Sequence, residues 1–128
     1  MIYKVLYGSS GILEEMLMAS QRFLNVANLR ELLLGMERDL GLGNLTQNEK
    51  DVFYAVQLVL SANAGMARSE DIKRHELTRG ITQPTFHRSL KRLVEKGLIA
   101  HAPNTKAGSY VDPVKKASAK GVEVLAVV

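Results

Sequence analysis

The side chains best suited to recognition chemistry lie between Thr82 and Lys106. Take a helix over residues 82–96 at about 100° per residue, with Phe86 at zero. Leu90 and Leu93 then fall within about 40° of Phe86 and face a core. Pro84, Thr85, His87, Arg88, Lys91 and Arg92 fall on the opposite side. That side is polar and cationic, with the donors a nucleic-acid groove accepts. Arg88 can pair bidentately with guanine O6 and N7. Gln83 and Thr85, near the helix start, can reach bases or phosphates, and the helix N-terminus itself favours a phosphate. Lys91, Arg92 and Lys96 suit phosphate contacts that set affinity and register. Lys106, in a basic loop further on, suits the backbone as well. His87 on this face would make affinity depend on pH.

Other chemistry has less support. His75, His87 and His101 sit on three different elements without helical i, i+4 spacing, so no metal site is expected. The absence of cysteine removes disulfides, thiolate metal sites, iron–sulfur clusters and a cysteine nucleophile. Gly41-Leu-Gly43 lacks the preceding strand of a phosphate loop. Glu14-Glu15 and Glu37/Asp39 read as solvated helix faces rather than acid–base pairs. Met16, Met18 and Met36 read first as core or dimer seam, and second as lining for an adaptable pocket. No enzymatic activity and no cofactor are expected.

The elements that must position these residues are legible from periodicity and caps. Residues 2–7 suit a short strand or a helix start, broken by Gly8-Ser-Ser-Gly11. From Ile12 to Leu40 the spacing is helical, with Glu14 and Glu15 placed in a first turn. Asn28-Leu-Arg-Glu31 has the form of a capping box, so this stretch is one long helix or two breaking near Asn28. Gly41-Leu-Gly43 ends it. Thr46-Gln-Asn-Glu49 is a cleaner capping box, with Leu45 as its staple, and opens a helix over about 47–61. Ser61 to Gly65 is the turn out. Ser69 is placed as the cap of a short helix with Ile72, His75 and Leu77 inward. Thr82 caps the helix that carries the cations, with Pro84 in its first turn and Gly97 as its C-cap. Leu98–Ala102 and Ser109–Val111 read as strands around a loop. The tail from Val114 suits a strand or a poor helix.

Composition agrees with a single compact domain. The chain has 128 residues, 46% apolar and 23% charged, with a formal charge of +4. Whole-chain disorder is therefore not expected. No apolar run reaches the roughly 20 residues of a membrane span, and Met1–Tyr7 lacks the pattern of a signal peptide. A cytoplasmic protein with no membrane partner is expected. Aromatic residues are only 5%, with no tryptophan, which disfavours stacking of single-stranded bases. Residues 68–106 carry nine basic and four acidic side chains, a net of +5, while residues 1–67 carry a net of −2. The local excess suits a polyanion.

A short helix, a tight turn, a longer helix and a hairpin together describe a winged helix-turn-helix. Ile81-Thr-Gln-Pro-Thr-Phe-His-Arg-Ser-Leu-Lys-Arg-Leu-Val-Glu-Lys-Gly-Leu-Ile99 resembles the recognition helix and first wing strand of bacterial winged-helix regulators. Within these it is most similar to the multiple-antibiotic-resistance regulator (MarR) family. The likeness spans about half the chain. It implies that Leu45–Leu60 precedes the helix-turn-helix, that Gln83–Lys96 reads DNA, and that Gly97-Leu98-Ile99 turns into the wing. It also implies a homodimer, with the apolar segment 12–40 as the interface. Two departures stand out. The wing tip reads Asn104-Thr-Lys106, with one cation and no acidic partner. Only about 15 residues follow Pro113, too few for the family's long C-terminal dimerisation helix.

The expectation is thus a mainly α chain with a small β-hairpin wing. An N-terminal helical extension spans residues 1–44, a winged helix-turn-helix core 45–113 and a tail 114–128. The expected partner is double-stranded DNA, read in the major groove by Gln83, Pro84, Thr85, His87, Arg88, Lys91 and Arg92, with Lys106 on the backbone. A homodimer through the N-terminal segment is expected, with a transcriptional role and no effector that the sequence specifies. Two other classes fit the same pattern: a winged-helix protein–protein interaction module and a non-specific DNA-binding accessory protein. The lack of an exposed aromatic or leucine anchor on helix 82–96 favours DNA.

Overall fold

A computed structural model describes residues 10–103, 105 and 108–114 of the chain. Readings for residues 2–7, for Asn104 and Lys106 and for the tail beyond Val114 lie outside these residues. The chain separates into two compact units, Met1–Asn44 and Leu45–Val128.

The first unit is a single helix, α1 (Ser10–Asp39), of 30 residues. Asn28 does not interrupt it. No proline occurs in the stretch, and Leu, Met, Glu and Arg are good helix formers, so continuing costs less than capping anew. Because α1 starts at Ser10, Glu14 and Glu15 fall beyond its first turn, not within it. Glu37 is buried rather than solvated, while Asp39 is exposed as expected. The helix closes on Gly41, whose φ of +77° only glycine adopts without cost. The Leu42 amide donates to the Glu37 carbonyl at 2.8 Å and the Gly41 amide to that of Arg38 at 3.2 Å, the Schellman pattern.

The second unit runs α2 (Gln47–Ala62), β1 (Ala67–Arg68), α3 (Ser69–Arg74), α4 (Gln83–Glu95), β2 (Ala100–His101) and β3 (Ser109–Val111). The mainly helical chain thus carries a small antiparallel sheet of order β1-β3-β2. The expected capping box forms at α2. The Glu49 amide donates to Thr46 Oγ1 at 3.2 Å, and the Thr46 amide donates to Glu49 Oε1 at 3.0 Å. Val52, Ala55 and Val56 of α2, Ile72 of α3 and Phe86, Leu90 and Leu93 of α4 are buried in the core. α2 packs chiefly on α4. Ala100, Ala102 and Val111 form a satellite cluster with Met66 under the hairpin.

Three local expectations are corrected. The sheet has a third strand, because Ala67 pairs with Tyr110 and Arg68 with Ser109 on the open edge of β3. Arg68, extended within that strand, takes the N-cap position of α3 without a side-chain bond. Ser69 is therefore inside the helix, its amide donating to the Gly108 carbonyl at 2.7 Å. Leu77 is 41% exposed, and Thr78 takes the inward place. The Thr78 hydroxyl is fully buried and donates toward the carbonyls of Ile72, Lys73 and His75. Among the described residues, no helix is long and apolar enough to cross a membrane.

Candidate nucleic-acid interface

The candidate surface is the outer side of α4, and the core dictates which side that is. Phe86, Ser89, Leu90 and Leu93 are buried against the rest of the unit. Gln83, Pro84, His87, Arg88, Lys91 and Arg92 are exposed, and Thr85 is half-buried. Seven of the eight residues singled out in the sequence therefore share one helix. The eighth, Lys106, lies outside the described residues.

Both ends of α4 are anchored. Thr82 has the extended dihedrals of an N-cap, but its side chain makes no capping bond to the helix amides. Its hydroxyl lies 3.0 Å from Thr85 Oγ1 instead. The same oxygen accepts a bond from Arg88 Nη2 at 3.2 Å, and Ser89 Oγ donates to the Thr85 carbonyl at 2.8 Å. Thr85 thus acts as a local hub that holds Arg88 along the helix surface. At the far end, Gly97 at φ +76° closes α4 with the Schellman pattern already seen after α1.

The turn before α4 is held by a cation that is spent on structure. Lys73 Nζ donates to the carbonyls of Thr78 at 3.3 Å and Arg79 at 3.4 Å, and sits 5.9 Å from the centre of the Phe86 ring. The Phe86 and His87 rings meet edge to face at 5.3 Å. The turn fixes the direction in which α4 leaves and leaves Arg79 exposed beside its start. Arg79 is a candidate contact that the sequence reading passed over as part of a chain break. Its place directly before a cationic helix was the available signal. Arg68 and Arg74 are exposed as well, Arg74 paired with Asp71 at 2.7 Å.

An open groove of about 440 Å³ lies between the first turn of α2 and α4. Thr46, Asn48 and Glu49 form one wall, and Arg88, Lys91 and Arg92 form the other. Arg92 Nε stands 3.9 Å from Glu49 Oε2, a partly exposed ion pair of small energetic weight. Glu49 also closes the capping box, while Arg88 and Lys91 remain exposed beside it. In the hairpin the His101 and Tyr110 rings lie 5.2 Å apart across β2 and β3. Burial pushes the Tyr110 phenol above its ordinary value near 10. Among the described residues, no cluster of His, Asp or Glu side chains is arranged to hold a metal ion. No family model, no curated protein and no solved structure matches this chain.

Proposed function

We propose that residues 45–113 form a winged helix-turn-helix that binds double-stranded DNA with α4 in the major groove. The observation that carries this reading is the division of α4 into a fully buried apolar side and an exposed cationic side without an apolar anchor. Interface hot spots on proteins favour aromatic anchors, whereas a groove-reading helix needs cations and small polar donors. The order helix, strand, helix, helix, strand, strand and the β1-β3-β2 sheet suit the same reading. Arg88 is the base reader, Lys91 and Arg92 hold phosphates, and Arg79 joins them from the turn. A regulatory role extends the proposal from the likeness of residues 81–99 to bacterial winged-helix regulators.

The test is binding of labelled random-sequence duplex at several salt concentrations, for the native chain and Arg88→Ala/Lys91→Ala. Phosphate neutralisation by α4 predicts a steep salt slope, lowered by about one unit for each phosphate contact removed. No binding at low salt, or identical slopes for the two proteins, would retire the DNA reading in favour of a protein partner. Selection of a preferred site would follow. For a two-fold dimer, hydroxyl-radical footprints should show half-sites about 10–10.5 base pairs apart.

A further inference from the structure

We infer that Glu95 is a specificity-determining residue: its carboxylate reads a cytosine in the major groove, about three base pairs from the guanine read by Arg88. The inference rests on the DNA reading and narrows it to duplexes of one kind.

Glu95 is the one carboxylate in α4, and it is exposed. With Phe86 at zero and about 100° per residue, Glu95 falls at about 180°, directly opposite the core side. Pro84, Arg88 and Lys91 lie within about 40° of it. A negative charge therefore stands in the middle of the cationic side. It also lines the groove between α2 and α4, beside Arg88, Lys91 and Arg92.

Local chemistry gives no reason for an acid at this place. Glu95 is the last residue of α4, where the helix dipole disfavours negative charge. Arg92, three residues earlier, turns its Nε to Glu49 across the groove at 3.9 Å. Among the described residues Glu95 joins no ion pair. A surface that only neutralised phosphates would be served better by a cation or a neutral residue there.

An acceptor on a groove-reading side has a defined counterpart. A carboxylate only accepts hydrogen bonds. In the major groove guanine offers N7 and O6 and thymine offers O4, all acceptors, which repel it. Cytosine offers the N4 amino group, the donor suited to a glutamate. Arg88 has the opposite requirement and suits guanine. Seven residues separate the two side chains, about 10.5 Å along the helix at about 1.5 Å per residue. For a helix lying along the groove, this spans about three base pairs at about 3.4 Å each. The major groove of A-form RNA is too narrow for such a helix, so the duplex is DNA.

The test is selection of preferred sites from a random-sequence duplex pool by the full chain and its variants. The native chain should enrich a cytosine about three base pairs from a guanine. Any other base at the cytosine position should lower affinity by about 5- to 100-fold. Glu95→Ala should lose the cytosine preference and keep the guanine. Glu95→Gln should move that preference to adenine, whose N6 and N7 suit an amide. Arg88→Ala should lose the guanine preference alone. Both Glu95 variants should bind random duplex at least as tightly as the native chain, because a charge that repels phosphate is gone. A cytosine preference that survives Glu95→Ala, or a native chain without base preference at that spacing, would overturn the inference. Salt-dependent duplex binding without base preference retires this inference alone, whereas no duplex binding at low salt retires the DNA reading with it.

Discussion

The helices α1 and α4 place their apolar residues under different rules, and the difference decides what each one does. In α4 the large apolar side chains repeat on one side and disappear into the core, so its polar residues collect on the other. In α1 apolar residues are more numerous and are exposed from end to end. Its apolar residues are spread over several sides of the helix, which gives it little one-sided bias. Apolar content alone therefore does not say which helix belongs to a core. The one-sidedness of the pattern does, because a helix that joins a core buries its apolar residues along one side.

Two phenylalanines give the strongest test of this contrast. Phe86 is 1% exposed in the core and Phe23 is 73% exposed on α1. Phe86→Ala should cost about 3–5 kcal/mol in urea unfolding of residues 45–128. Phe23→Ala should leave that transition within about 0.5 kcal/mol. Equal destabilisation of the same transition by both would break the distinction between a helix buried in a core and one whose apolar residues stay exposed.

Thr78 tests whether the turn before α4 is held as tightly as its burial implies. Thr78→Val keeps the shape but removes the donor that the Ile72 carbonyl receives. A loss of about 1–3 kcal/mol is expected in thermal or chemical unfolding. A loss of DNA affinity larger than the stability change accounts for would sharpen the picture, showing that the turn aims α4. No counterpart on α1 should be this sensitive.

Two glycines repeat the contrast with opposite signs. Gly97 holds φ at +76°, so Gly97→Ala should destabilise by about 1–2 kcal/mol. Gly35 lies inside α1, with nothing within 4 Å of an added Cβ. Gly35→Ala should stabilise α1 by about 0.5–1 kcal/mol, seen as increased helicity on heating. A loss there would mean that another backbone approaches α1 on that side.

The smallest effect expected is at alkaline pH. The Tyr110 phenol, held neutral by burial, has a raised folded-state value. Its contribution to stability is present below about pH 10 and declines as pH climbs past the ordinary phenol value toward the raised one. Tyr110→Phe should remove that alkaline decline from the melting temperature of residues 45–128 and leave α1 untouched.

Much of the second unit was legible before any coordinates. Thr46 and Glu49 announce α2 because a capping box is local chemistry, satisfied by residues three apart. The core side of α4 was readable because Phe86, Leu90 and Leu93 share a period with nothing to contradict it. Gly97 marked its own turn because only a residue without Cβ adopts that backbone cheaply. The misreadings have one origin. β1 is two residues long and exists because β3 offers an open edge, which no alternation in Ala67-Arg68 reveals. Ser69 loses its expected capping role because that strand places Arg68 before it. Leu77 and Thr78 exchange expected places because three carbonyls await a donor inside the turn. At the candidate site, Arg79 was missed because a turn residue has no periodic signal.

What the sequence determined by itself was every feature that closes within a few residues: caps, helix periods, glycine turns, the cationic row on α4, and the apolar content of α1. Those interactions need no distant partner, so residue type and spacing suffice. Tertiary structure decided the rest. It recruited β1 to the sheet, buried Thr78 in place of Leu77, and spent Lys73 on the turn while leaving Arg79 exposed. Each of these depends on which groups remain unsatisfied once distant segments meet, and that quantity exists only in the folded chain.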